Sequence, residues 1–118
     1  MKLILALALL APAAYADTYT AANEVMQEVA RDNRYIRYGG MDYRPMTKHE
    51  VGNCARFAAT YAHKMKERGI QTGWMRCALP DGRQHTFALT HDGWAMDNMK
   101  THPIRFEETD CDPRRQGN

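Results

Sequence analysis

A cysteine, a histidine and an aspartate stand in that chain order at the ends of three ordered-looking runs: Cys54, His85 and Asp97. Cys54 follows Gly52-Asn53 and opens a helical run through Ala62; His85 begins an extended run to Thr90; Asp97 closes the run from Gly93 to Asn98. A thiol needs a base to become a nucleophile at neutral pH, and the base needs a third group to fix its tautomer. In the first turn of a helix the thiol also meets the positive end of the helix field. A neighbouring imidazolium brings such thiols down to pKa values of roughly 3.5–7.5. Singly, each residue has a plain structural reading: a buried thiol, a satisfied core histidine, a turn aspartate. Order and placement together favour a triad. The Cys54 backbone N–H offers one donor to an oxyanion, and Asn33 is the candidate for the second.

These residues must be positioned by the elements around them. Ala21, Val25, Met26 and Val29 recur at three- and four-residue spacing and predict a helix from Thr20 to about Arg31. A second helix is predicted from Asn53 or Cys54 to Arg68, with Lys64, Lys66 and Arg68 in its last turn and Gly69 at the C-cap. Tyr35 to Tyr38 reads as briefly extended. Three strands follow, Trp74–Leu79, Gln84–Thr90 and Trp94–Asn98, separated by Pro80-Asp81-Gly82 and His91-Asp92-Gly93. The expected fold is α+β, N-terminal helices packed on a small antiparallel sheet. Strand register tests the triad independently. A three-residue His91-Asp92-Gly93 loop pairs Thr90 with Trp94, so Phe87 lies opposite Asp97 and His85 opposite Met99, making Asp97 a same-face diagonal neighbour of His85. A two-residue loop would put them on opposite faces.

The first 16 of the 118 residues read as a secretory signal peptide: Lys2, the apolar stretch Leu3–Leu10, and the small-x-small site Ala14-Tyr15-Ala16. That stretch is too short for a membrane-spanning helix, and no cysteine near the site suggests a lipid anchor. The expected organisation is a signal peptide at 1–16, one domain at 17–110 and a tail at 111–118, in the periplasm or outside the cell. A formal charge of +2 argues against nucleic acid or an anionic membrane as partner. In an oxidising compartment three cysteines leave one over. Cys54 is the natural odd one and Cys77 with Cys111 the candidate pair; the alternative keeps both free, with Cys77 a small core residue. No C-x-x-C or H-E-x-x-H occurs, so neither a metal site nor a cofactor is expected.

Three blocks resemble the bacterial transglutaminase-like cysteine proteinases, within the transglutaminase-like, papain-type superfamily: Gly52-Asn53-Cys54-Ala55-Arg56-Phe57-Ala58, His85-Thr86-Phe87-Ala88-Leu89 and Gly93-Trp94-Ala95-Met96-Asp97-Asn98. Asn33-Arg34-Tyr35-Ile36-Arg37-Tyr38 is similar to that family's N-x-x-I-x-Y segment. The resemblance runs from about Val25 to Met99. It implies a minimal papain-like core and a thioester mechanism, with Cys54 as nucleophile, His85 as base and acid, and Asp97 as orienter. Calcium-dependent members carry acidic residues around the cysteine, where this chain has Asn53, Ala55 and Arg56. The domain is also shorter than usual for the family, so a partner protein completing the substrate cleft is one expectation. The implied activity is an exported cysteine peptidase cleaving a protein or peptide. Acyl transfer to an amine shares its thioester. A peptidoglycan amide hydrolase of the NlpC/P60 type usually shows D-C-S where this chain has Asn53-Cys54-Ala55, and a non-catalytic binding module would keep the fold with an idle triad.

Overall fold

Ala21, Ala22, Val25, Met26 and Val29 fall on one side of a helix and are buried along it, which fixes how α1 (Thr18–Asp32) lies on its neighbours. The computed structural model describes residues 18–111. The expected signal peptide and the tail beyond Cys111 lie outside them. After α1 come two short strands, β1 (Arg34–Tyr35) and β2 (Val51–Gly52), and then α2 (Cys54–Glu67). Asn53 starts α2 as its N-cap: its Oδ1 accepts from the N–H groups of Ala55 at 3.1 Å and Arg56 at 3.4 Å. Gly69, at φ +78°, follows its end in a conformation that a Cβ would strain. Lys64 and Arg68 of α2 reach back to Glu28 and Glu24 of α1. Among the described residues no helix is long and apolar enough to cross a membrane.

The rest is an antiparallel sheet in the order β3 (Thr72–Ala78), β4 (Gln84–Thr90), β5 (Trp94–Met96) and β6 (Ile104–Arg105), ending in a 3₁₀ turn at Phe106–Glu108. The fold is therefore α+β: two helices, a four-stranded antiparallel sheet and a small parallel pair. Both hairpins have three-residue loops whose last residue is a glycine at positive φ, Gly82 at +88° and Gly93 at +96°. Ala88 pairs with Met96 and Leu89 with Ala95, the register predicted from the His91-Asp92-Gly93 loop. Strand β5 ends two residues sooner than expected. Beyond it, Asp97 turns the chain, accepting Met99 N–H on Oδ1 at 2.9 Å and Lys100 N–H on its carbonyl at 2.9 Å.

The sheet is covered on both faces. Ala88 and Met96 pack with Val25, Val29, Tyr61 and Met65 of the helices. On the opposite face Cys77, Phe87 and Ala95 form a second cluster under Ile104, Phe106 and Cys111. This explains how Cys77 points away from the helices yet is fully buried: the returning C-terminal segment roofs it. Cys77 and Cys111 are joined by a disulfide with their Cα atoms 5.6 Å apart, and Cys54 is the free cysteine.

The segment between β1 and β2 is organised by one side chain. Arg56, in the first turn of α2, contacts Glu50 Oε2 at 3.3 Å and Asp42 Oδ2 at 3.9 Å. It also donates to the carbonyls of Arg44 and Pro45 at 3.2 and 3.3 Å. Glu50 in turn accepts from Thr47 N–H at 2.7 Å; Thr47-Lys48-His49-Glu50 has the sequence form of a capping box, yet it closes a turn rather than a helix. Gly52 lies so near α2 that a Cβ there would meet Arg56 Cβ at 2.7 Å and the Met46 sulfur at 2.8 Å.

Candidate active site

Three elements deliver the three residues. Cys54 is the first residue of α2, His85 the second of β4, and Asp97 directly follows β5. His85 Nε2 lies 2.8 Å from Asp97 Oδ1, both side chains nearly closed to solvent at 7% and 10% exposure. Because β4 and β5 pair in the predicted register, the diagonal contact between them exists. Asp97 is itself aimed, since Met99 N–H holds the same Oδ1.

The other side of the imidazole belongs to Cys54, which shares a side-chain hydrogen bond with it. With Nε2 committed to Asp97, Nδ1 is the nitrogen left for the thiol. Thr86 adds a backbone and a hydroxyl hydrogen bond to the same sulfur. Arg76 Nη1 donates to the Thr86 hydroxyl oxygen at 3.4 Å, and the Tyr43 hydroxyl lies within 3.4 Å of the same oxygen. Strand alternation puts Thr86 on the opposite face from His85, and sequence pattern alone assigns it no role. The sulfur at the helix start nevertheless reaches the edge of β4 and meets both residues. Its position immediately after the histidine was the available signal.

Burial pushes the Cys54 thiol up, yet the His85 hydrogen bond, the Thr86 backbone bond and the imidazolium charge outweigh it, and the net shift is below the ordinary thiol value. Burial likewise works against a charged His85. The hydrogen bonds to Asp97 and Cys54, and their negative charge, reverse it and lift the imidazole to about 9. An imidazolium–thiolate pair is favoured where the lowered thiol has ionised and His85, below about 9, still holds its proton. A raised histidine adds stability that is full below its ordinary value, about 6.5, and is lost as pH climbs through about 9. For the same reason, alkylation of Cys54 by iodoacetamide should persist well below the ordinary thiol range near about 8.5. Turnover should follow a bell whose basic limb lies near about 9. A single sigmoid centred at the free-thiol value would show that no ion pair forms.

Asn33 does not join the site. Its Nδ2 gives its two hydrogens to the carbonyls of Thr47 at 2.8 Å and Glu50 at 3.0 Å, leaving none for an oxyanion. Its role is to tie the end of α1 to the loop before β2. The Cys54 N–H, by contrast, has no acceptor among the described residues, because the Asn53 side chain takes the next two donors of the helix. That N–H, beside the sulfur, remains an oxyanion donor.

Cys54 and His85 open into a cleft of about 400 Å³, walled by the Arg37–Met41 side of the β1–β2 connection and by Arg76, Leu79, Arg83 and Met99. Asn53 braces one wall: its Nδ2 donates to Gly40 O at 3.0 Å. A larger hollow of about 650 Å³ lies elsewhere, between α2 and β3, lined by Trp74 and Tyr43 but by no member of the triad. His49, His63 and His102 are exposed.

The residues around Cys54 do not suit calcium. In the first turn of α2 stands Arg56, paired with Glu50 and Asp42, so a guanidinium occupies the charge balance a cation would satisfy. Among the described residues no group of three histidine, cysteine or acidic side chains is placed to hold a metal. Melting temperature and activity should therefore be indifferent to EGTA, measured by thermal denaturation with and without chelator. A drop of several degrees would reveal ligands elsewhere. No protein-family model and no curated protein sequence matches the chain.

Proposed function

We propose that the protein is an exported thiol hydrolase that cleaves an amide bond in a protein substrate through a thioester on Cys54. The observation that supports this most is the continuous hydrogen-bonded line Cys54–His85–Asp97 beneath an open cleft. The Cys54 thiolate attacks the carbonyl carbon, forming an S–C bond, and the oxyanion faces the Cys54 N–H. His85 gives its proton to the leaving amine as the C–N bond breaks. It then takes a proton from water, whose hydroxide opens the thioester, and the acid leaves as the thiolate is restored beside the protonated His85. Asp97 keeps the imidazole oriented throughout.

The helix-borne cysteine with histidine and aspartate on adjoining antiparallel strands fits a papain-like, transglutaminase-like core, and the resemblance of the three sequence blocks supports the same reading. The Cys77–Cys111 disulfide suits export to an oxidising compartment such as the periplasm, as does the signal-peptide pattern of residues 1–16. Only Cys54 is then left to react. Capture with a thiol-directed electrophile at pH 6, followed by peptide mass spectrometry, tests the proposal. Selective labelling of Cys54, lost in Cys54→Ala, is the expected result; labelling no faster than that of a free thiol would overturn it.

A further inference from the structure

The charged side chains lining the cleft over Cys54, His85 apart, are Arg37, Arg76 and Arg83, with no aspartate, glutamate or lysine among them. Two of the three have no carboxylate partner among the described residues. Arg37 is exposed and has no carboxylate partner among the described residues. Arg76 is half-buried, and its contact is the uncharged Thr86 hydroxyl at 3.4 Å. Arg83 gives Nε to Asp81 at 2.7 Å, which leaves its two terminal nitrogens open to the cleft. Of the acids in the β1–β2 connection, Asp42 and Glu50 are held by Arg44 and Arg56.

Three guanidinium groups facing one cavity repel one another and raise its potential, and an anionic partner relieves both effects. Each presents a planar fork of donors that matches a carboxylate. Met41, Leu79 and Met99 line the same cleft and give apolar surface between the charges, which suits a peptide better than a bare phosphate. We propose that the cleft selects an acidic segment of a protein substrate, with aspartate or glutamate side chains flanking the scissile amide and Arg37, Arg76 and Arg83 receiving their carboxylates. The proposal rests on Cys54 being the nucleophile, so its test must separate the two.

Three otherwise identical peptidyl chloromethyl ketones carrying glutamate, glutamine or lysine beside the reactive group provide that test, with iodoacetamide as a neutral reference. Labelling of Cys54 is followed by mass spectrometry. The glutamate reagent should outpace the glutamine one by about fivefold, the size of one exposed guanidinium–carboxylate pair, with lysine slowest. The order should flatten when the salt is raised from 0.1 M to 1 M and the screening length falls from about 10 Å to about 3 Å. The glutamate-to-lysine ratio, taken within each protein, should fall in Arg37→Gln, an exposed loop change, and further in the combined Arg37→Gln/Arg76→Gln/Arg83→Gln protein. Fast iodoacetamide labelling with no preference among the peptides would overturn the acidic-substrate inference and leave the nucleophile standing. Iodoacetamide labelling at the rate of an ordinary thiol would overturn both. If the triple variant fails to fold, the salt series and Arg37→Gln still decide the matter.

Discussion

Cys54→Ala is expected to abolish turnover while leaving the protein folded. In the proposed mechanism the Cys54 sulfur forms the new bond, and Cys54 is the free cysteine among the described residues. Removing the nucleophile of a serine triad costs about 10⁶ in kcat, and an effect of that order is expected here. Folding should survive because the position asks little of its side chain. Cys54 is only half-buried, Asn53 supplies the cap of α2, and Ala55, Phe57, Ala58 and Tyr61 carry the helix into the core. Alanine is also a good helix residue. Cys54→Ser keeps the shape but exchanges a thiol that His85 and Thr86 can ionise for an alcohol they cannot, and should be nearly as inactive. Thermal melts of both variants, read beside product formation, check the result. Turnover by Cys54→Ala above about a hundredth of the wild-type rate would remove the nucleophile from the mechanism, against the far larger loss expected.

Much of the frame could be read before the structure, for reasons that differ from one element to the next. The helices announced themselves through apolar spacing: Val25 and Val29 in one, Ala58, Tyr61 and Met65 in the other, all buried. The two long strands were delimited by glycine-bearing loops, and the count of three residues in His91-Asp92-Gly93 sufficed to set the register that brings His85 to Asp97. Strands of two residues have no period to detect. The parallel pairing of Arg34–Tyr35 with Val51–Gly52 joins segments separated by a long connection, and local pattern says nothing about such pairing. Strand β6 was missed for the same reason.

The site was legible where chemistry fixes residue type and opaque where geometry alone decides. A nucleophile, a base and an orienter must be a cysteine, a histidine and an acid or amide, so the candidates were few. An oxyanion donor can be nearly any N–H, and the choice of Asn33 had no such constraint behind it. In the folded chain its amide is saturated by Thr47 and Glu50. Thr86 and Arg76 were overlooked because their roles come from where β4 meets the start of α2. Arg56 is intermediate: its place beside the cysteine was visible, but its partners Asp42 and Glu50 came from a loop whose path no periodicity describes.

Asp97→Asn should keep the fold and slow turnover by about 10⁴, the loss seen when the orienting aspartate of a serine triad becomes asparagine. The fold should hold because the turn after β5 is also closed by Lys100 N–H on the backbone carbonyl of residue 97, which the substitution leaves in place. Catalysis should fail because an amide nitrogen beside His85 Nε2 donates where the carboxylate accepted. The imidazole would then hold its proton on Nδ1, towards the sulfur, and lose the charge that stabilises its cationic form. The Asp97 hydrogen bond and charge help raise His85 to about 9, so the basic limb of the pH profile should retreat towards the ordinary histidine value. This shift separates an orienting role from a merely structural one, since a loosened fold lowers activity at every pH without moving the limb. The profile of kcat/KM between pH 5 and 10, with a melting curve for each protein, makes the measurement. Less than tenfold loss, with the basic limb unmoved, would reduce Asp97 to a turn residue and leave His85 to act without an orienter.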